Sequence, residues 1–292
     1  MSESQVSVEF DQSVARGERF EFGKNWQRFL SHLNENRILE AERSLKEKLQ
    51  IENLSGCSFL DIGCGSGLFS LAAKYLGAES VVSFDYDTQS TACCRELKSR
   101  FFPDHNDWTV EQASVLDNAY LNNLGTFDIV YSWGVLHHTG NMWKSFENID
   151  PLVKPGGTLF IAIYNDQGLS SRNWHRVKHL YNWLPSGLRW LVLYPAFLRL
   201  WGPTTLRDLL RGKPGETWRT YASDRGMSPW DDVVDWVGGY PFEVARPGDV
   251  FTFFHRRGYT LTNMFTTHNI GCNEFVFHKD ANNNIKQVKT AQ

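Results

Sequence analysis

The run Asp61-Ile62-Gly63-Cys64-Gly65-Ser66-Gly67 sets an acidic side chain two residues ahead of three closely spaced glycines. Bare backbone admits a ligand where a Cβ would block it. A carboxylate beside that opening repels a pyrophosphate but attracts a cationic amino group. Dinucleotide sites instead use G-x-G-x-x-G and seat the pyrophosphate on a helix N-terminus. Here the third glycine comes one residue early, and Leu68 stands where that pattern wants glycine. A second acid, Asp85, follows Asp61 by 24 residues at the end of the next apolar run, a place from which a carboxylate accepts both hydroxyls of a nucleoside ribose. A further pair, His137-His138, follows a later apolar run. An imidazole there can take a proton from a hydroxyl near neutral pH, or it can anchor its loop by hydrogen bonds; the residues alone leave both roles open.

Elements must place these groups together. Residues 57–62 read as a buried strand, the glycines as a turn and 68–76 as a helix. Strands are expected again at 80–85, 108–113, 127–133 and 158–164, with helices over 89–100 and 142–152 and a turn at Lys154-Pro155-Gly156-Gly157. The rhythm resumes late, as a helix over 247–257 and strands at 259–266 and 273–278. Short apolar strands alternating with helices imply a parallel sheet covered on both faces. The expected fold is α/β, Rossmann-like and doubly wound: a mostly parallel seven-stranded sheet with an antiparallel last strand. Around it lie an N-terminal helical region (1–56), with helical spacing over 26–49, and a helical insert (167–245). The core then comprises 57–166 and 246–280, and the tail beyond Lys279 reads as disordered. Ligands of such sheets bind beyond the carboxyl ends of the strands.

Four segments in order, the D-x-G-x-G-x-G run, Asp85, FDIVYSWGVLHH and LVKPGGTLFIAIYN, resemble the class I S-adenosylmethionine-dependent methyltransferases. The resemblance covers roughly 54–165 and the last two strands, and over the sheet it is closer to the small-molecule branch typified by the ubiquinone-biosynthesis O-methyltransferases. It implies that Asp61, Gly63, Cys64, Gly65 and Gly67 hold the methionine part of S-adenosylmethionine. It also implies that Asp85 and Tyr86 hold the ribose and that Ser114 and Val115 flank adenine. Trp133 and Gly134 would border the reacting methyl, with Phe22, Gly23 and Trp26 closing over the cofactor. The implied activity is methyl transfer to a small-molecule acceptor, with oxygen favoured over sulfur or nitrogen, S-adenosylhomocysteine as product and no metal. His137 and His138 are the candidate bases. Tyr164, Asn165 and Tyr240 are the candidate acceptor contacts, with Asp166, Glu243, His268 and Asn269 behind them. The alternatives are a protein that binds the cofactor without catalysis and an RNA-directed methyltransferase. The Asn/Asp-Pro-Pro-aromatic run of the base-amine enzymes and the paired-glutamate loop of the protein-arginine branch are both absent.

The insert bears on the acceptor. Residues 167–227 carry ten Lys or Arg against three Asp or Glu, in a chain whose formal net charge is −3. They also hold nine aromatic residues, Trp174, Trp183, Trp190, Trp201 and Trp218 among them. Such a stretch reads as a lid over an apolar or anionic acceptor, as an amphipathic surface touching anionic lipid, or as a subdomain whose tryptophans simply pack; the lid is favoured over lipid contact. Asp231, Asp232 and Asp235 read as a solvated helix face. No run reaches the roughly 18 to 20 apolar residues of a membrane span, and 188–201, the nearest, is broken by Arg189, Pro195 and Arg199. The polar N-terminus lacks the pattern of a secretion signal. The five irregularly spaced cysteines fit free thiols, so a cytoplasmic location is expected.

Overall fold

The computed structural model describes residues 2–281 apart from 32, 105, 226–228 and 269–270, and does not describe the side chains of 24, 27–29, 220, 222–225 and 231. Asn269, the side chain of Asp231 and most of the expected tail therefore lie outside the described residues.

Seven strands, β1 (Ser58–Ile62), β2 (Ser80–Asp85), β3 (Trp108–Gln112), β4 (Phe127–Trp133), β5 (Val153–Tyr164), β6 (Tyr259–Phe265) and β7 (Cys272–Lys279), form one sheet in the order 3-2-1-4-5-7-6. β7 pairs antiparallel with β5 and β6, and the other pairings are parallel. A parallel crossover needs a dozen or more residues; only residues 266–271 join β6 to β7, so the chain must reverse. The strand order turns back between β1 and β4, which opens the crevice.

Alternation along each strand feeds two apolar layers. Phe59 of β1 packs with α3 (Glu35–Leu49), α4 (Leu68–Tyr75) and α5 (Thr88–Phe101). Leu60 and Ile62 face the opposite layer, where α7 (Met142–Ile149) and α12 (Pro247–His255) lie; the short α6 (Asn118–Leu121) adds Leu121. In that layer Phe254 meets Phe146, Tyr259 and Phe277 with ring centroids 4.9–5.5 Å apart.

Two further helices precede the core, α1 (Glu3–Ala15) and α2 (Gly23–Ser31). Helix α1 falls in the expected helical region 1–56 but outside the helical spacing read over 26–49, because its own amphipathic pattern is weak. Its start is marked instead by a capping box in which Ser2 and Gln5 exchange side-chain and backbone hydrogen bonds. The helix serves the sheet: Glu3 accepts the backbone N–H of Gln112 on edge strand β3, a donor the sheet would otherwise leave unpaired.

The insert folds into α8 (Leu169–Trp183), α9 (Trp190–Leu210), α10 (Glu216–Arg225) and α11 (Pro229–Gly238). It has its own apolar cluster, with Tyr181, Leu193, Trp201, Val233 and Val237 buried. Pro195 and Pro203, which punctuate the sequence, lie inside α9 and do not end it. A proline inside a helix costs about 3 kcal/mol or more, and here burial of Leu193, Ala196 and Trp201 on the inner face offsets that cost. Among the described residues, no helix is long and apolar enough to cross a membrane.

Phe254→Ala is expected to destabilise the fold by about 3–5 kcal/mol through a cavity between α12 and the sheet. Urea unfolding followed by circular dichroism measures this, and a loss below about 1 kcal/mol would mean that the site collapses freely.

Candidate active site

A cavity of about 880 Å³ opens at the carboxyl ends of the strands. Its floor is made by the residues that follow β1, β2, β3 and β4, and its far wall by the inner faces of α9, α10 and α11. Drug-sized ligands occupy pockets of about 300–1,000 Å³, so there is room for two reactants side by side.

The glycine turn forms one wall. Gly63 and Gly65 line the cavity and have φ of 72° and 53°. A Cβ on Gly63 would come within 2.4 Å of Val135, and one on Gly65 within 2.9 Å of the Trp26 indole. Only glycine fits either place. Asp85 faces the cavity, and its two carboxylate oxygens accept the backbone N–H groups of Gly65 (3.0 Å) and Asp87 (2.9 Å). Burial, reinforced by neighbouring Asp87, pushes its pKa up to about 7.

Asp61, Cys64 and Gly67 lie behind this surface and not on it. Strand alternation points Asp61 toward α4, where its carboxylate accepts the Ser70 hydroxyl at 2.5 Å. Ser70 and Ser83 share a bond of 2.8 Å, and Ser83 accepts the Trp108 indole N–H. Burial pushes Asp61 up to about 7 against the bonds from Ser70. Cys64 belongs to the apolar layer beneath the turn, and a Cβ on Gly67 would meet Cys94 Sγ at 2.6 Å.

The segment between α1 and α2 supplies a roof that sequence reasoning caught only in part. Trp26 lies over Gly65, Phe22 lies 5.0 Å from the His138 ring, and the Gly23 N–H donates to Asp87. Arg19 was missed. Its guanidinium donates to the carbonyls of His138 (2.8 Å) and Thr139 (3.4 Å) and lies 4.9 Å from the centroid of the Tyr86 ring. Burial lowers its pKa, opposed by Tyr86, Asp85 and Asp87. Phe20 was missed too; its N–H donates to the Tyr240 carbonyl, and its ring fills the space a side chain at Gly238 would need. The one sequence signal for this roof is the density of aromatic residues in 20–26.

Ser114, Val115, Trp133 and Gly134, which the family resemblance named, line the cavity. Ser114 Oγ accepts the Leu116 N–H, the Val115 carbonyl accepts Asn148, and the Trp133 indole donates to Glu274. The two histidines part company. His137 is fully buried, wedged 3.9 Å from the Tyr164 ring and 4.4 Å from His138, and neither of its nitrogens has a partner among the described residues. His138 lines the cavity, and its Nδ1 lies 2.6 Å from the Pro241 carbonyl. A carbonyl can only accept, so Nδ1 carries the proton and Nε2 keeps a lone pair. Burial holds His137 well below the usual histidine range and brings His138 down to about 3; both are neutral at physiological pH.

Of the acceptor candidates, Tyr164 lines the cavity. Asn165 donates to Thr267 and borders a separate void of about 10 Å³. Tyr240 packs between His175 and His179 and is not among the lining residues. Asp166 caps the loop before α8 by accepting the Gly168 N–H. Glu243 caps α7, both oxygens accepting the Met142 N–H at 3.1 and 3.0 Å; Asn141, the helix's own N-cap residue, makes no side-chain cap. His268 is exposed and accepts from Gln167 through its carbonyl. The insert's side of the cavity is lined by residues with no strand-end signal, among them Trp201, Thr204, Arg207, Tyr221, Asp232 and Trp236. Among the described residues, no three His, Cys, Asp or Glu side chains gather as a metal site.

Arg19→Met should free the roof from the loop after β4. Proteolysis and amide exchange across 16–26 are expected to accelerate on the order of tenfold, since charged hydrogen bonds contribute about 1.5–3 kcal/mol. Unchanged exchange would show that the aromatic packing holds the roof alone.

Comparison with known proteins agrees with this geometry. A ubiquinone biosynthesis O-methyltransferase of Rhodopseudomonas palustris is 28% identical over 167 residues, which are 54% of this chain and 59% of that protein. The mitochondrial counterpart in Rattus norvegicus is 33% identical over 117 residues, 40% of this chain and 33% of its own. The match thus spans less than two thirds of either relative. Among solved structures, PKMT2 from Rickettsia typhi superposes with a TM-score of 0.53 at 15% identity, covering 81% of this chain and 51% of that one. An O-methyltransferase family protein from Burkholderia thailandensis reaches 0.50 at 9%, covering 84% and 57%. At such identities these two structures speak for the fold alone. The family model described as a methyltransferase domain matches residues 24–212, from the roof through the glycine turn and the strand ends into the insert, and the chain belongs to that methyltransferase-domain family.

Proposed function

We propose that the chain transfers the methyl group of S-adenosylmethionine to a small-molecule acceptor, with oxygen as the favoured nucleophile. The observation that carries this reading is Asp85: a cavity-facing carboxylate at the end of β2, anchored by two backbone N–H groups beside a glycine turn. Asp85 and Tyr86 would hold the ribose. Ser114 and Val115 would hold the adenine edge, and the bare backbone at Gly63 and Gly65 the amino-acid portion. Asp61 supports the turn through Ser70, and its raised proton affinity weakens it as a fixed negative charge for an ammonium group.

When bound, S-adenosylmethionine supplies an already activated methyl group. What remains for the chain is to align the acceptor, exclude water and manage one proton; alignment alone can be worth about 7–11 kcal/mol. Trp133 and Gly134 border the crossing point between the two halves of the cavity. The roof formed by Arg19, Phe22 and Trp26 keeps water out. His138 offers Nε2 to an acceptor hydroxyl, orienting a lone pair of the oxygen toward the methyl. His137 props Tyr164 and His138 from behind. A small acceptor fits an acceptor chamber closed by α9, α10 and α11, with Trp201, Tyr221 and Trp236 as its apolar walls. The ubiquinone-biosynthesis relatives are named for O-methylation, which supports oxygen. Five free cysteines fit a reducing cytoplasm. The insert, 167–245, acts as the acceptor subdomain on a core of 57–166 and 246–280.

The direct experiment is incubation with labelled S-adenosylmethionine and a fractionated small-molecule extract, read by mass spectrometry for the gain of one methyl. Cofactor binding with no methylated product in any fraction would leave a binding protein in place of an enzyme.

Asp85→Asn is expected to weaken S-adenosylhomocysteine by about 10–100-fold in calorimetry, from charged hydrogen bonds of about 1.5–3 kcal/mol. The pH dependence has a definite sign. With a folded pKa raised to about 7, Asp85 favours the free fold in its protonated form, a contribution present below the ordinary carboxylate range and lost as pH rises through about 7. Ligand hydroxyls need the carboxylate, so affinity should climb as pH rises through about 7. A pH-independent affinity would remove Asp85 from the site. His138→Ala should lower kcat by about 10²- to 10⁴-fold if proton transfer runs through it, and the wild type should show no acid limb from an ordinary histidine.

A further inference from the structure

Helix α9 is apolar on both sides. Its inner face, Leu193, Ala196, Leu200, Trp201 and Thr204, packs into the insert or lines the cavity. Its outer face repeats at the same helical spacing, with Leu191, Tyr194, Leu198, Leu206, Leu209 and Leu210 exposed to water, Leu198 at 67% and Leu210 at 79%. At the turn from α8 to α9, Trp183 (67% exposed), Leu188 and Trp190 continue this surface. Monomeric soluble proteins rarely expose contiguous apolar ground of this kind without a partner for it.

The charge around this face indicates the partner. Between 169 and 213 stand eight Lys or Arg, of which Lys178 is buried against Trp236, and a single acid, Asp208. That acid is buried and bonded to Thr217, so it faces inward. An outer surface of Leu, Trp and Tyr set among Arg, with no acid exposed between 169 and 213, matches the interfacial zone of an anionic bilayer. There apolar side chains enter the acyl boundary, Trp and Tyr sit at headgroup level and cations meet the phosphates.

We propose that the outer face of α9, with the α8–α9 turn, docks the protein onto an anionic membrane surface without crossing it. This goes beyond the methyl-transfer reading and does not rest on it, since the docking face and the cavity lie on opposite sides of one helix. Where both hold, the helix that lies in the interface also forms the acceptor wall, so acceptors that partition into lipid would be taken up from the membrane plane.

The test is co-sedimentation of the full chain with vesicles of phosphatidylcholine alone and of an equimolar mixture with phosphatidylglycerol. The comparison is with a Leu191→Asp, Leu198→Asp double variant and with Arg199→Glu. Both variants are first shown to be folded by circular dichroism and to bind S-adenosylhomocysteine like the wild type. Neither changes a residue that lines the cavity, so cofactor affinity is a separate readout: its failure would count against the methyltransferase reading and leave docking standing. Binding to the anionic vesicles is expected to exceed binding to neutral ones, to weaken with salt, and to fall on the order of tenfold or more in the double variant. Arg199→Glu should weaken anionic binding and leave neutral binding unchanged. Equal partitioning of wild type and double variant would overturn the proposal. So would a wild type that ignores both vesicles, including one whose outer α9 face proves by light scattering to be covered by a second copy of the chain. If the double variant does not fold, Leu209→Asp near the far end of the same face, with the same controls, decides the matter in the same way.

Discussion

The site depends on a closed circuit of contacts around Asp85. Its carboxylate accepts the N–H groups of Gly65 and Asp87, the Asp87 carboxylate accepts the N–H of Gly23, and Gly23 opens the helix whose Trp26 lies on Gly65. Four elements meet there: the glycine turn, the end of β2, the start of α5 and the roof. Each bond is short-range, and the polar ones replace water on groups that burial would otherwise leave unpaired, where a missing partner costs more than a made bond gains. The same circuit concentrates negative charge in a dry place, which is why Asp85 holds its proton so high. A ligand that brings hydroxyl donors to that carboxylate relieves a tension already present in the free protein.

Around this circuit the chain builds a vessel from parts far apart in sequence. Arg19 ties the roof to the loop after β4, Asn25 donates to Asp235 on α11, and Phe20 seats against Gly238. The roof therefore touches both the strand ends and the insert. The buried Lys178 amino group, which donates to the Trp236 carbonyl and lies 4.1 Å from the centroid of the Trp236 ring, braces the insert's wall of the cavity from behind. The insert thus carries two surfaces on one helix, one facing the chamber and one facing out.

The sheet was legible because strand alternation and glycine turns are local signals. The seven strands fall where apolar runs end in turns, and the antiparallel finish follows from a connection too short for a crossover. Helix α1 was not singled out within the expected helical region because its hydrophobic pattern is faint and its capping box is its main mark. The prolines inside α9 show the converse: local propensity is real, but a packed inner face overrides it. At the site, position along the strands pointed to Asp85, whereas Ser114, Val115, Trp133 and Gly134 came only with the family resemblance. It could not tell a carboxylate aimed at the cavity from one aimed at a helix. Asp61 and Asp85 are both acids near the glycines, yet side-chain alternation along β1 turns Asp61 to Ser70. Glu243 and Tyr240 are polar residues whose partners, an orphan helix N-terminus and a pair of histidines, come from distant segments.

By itself the sequence determined where the strands lie along the chain, the placement of bare backbone at the end of the first, and the acid at the end of the second, because each depends on neighbours within a few residues. Only tertiary structure decided which histidine meets the cavity, that Arg19 closes the roof, and that the inner face of α9 forms a cavity wall while its outer face is left exposed. Those outcomes turn on contacts between segments tens to hundreds of residues apart. Burial and direction, not residue type, separate the functional group from the structural one.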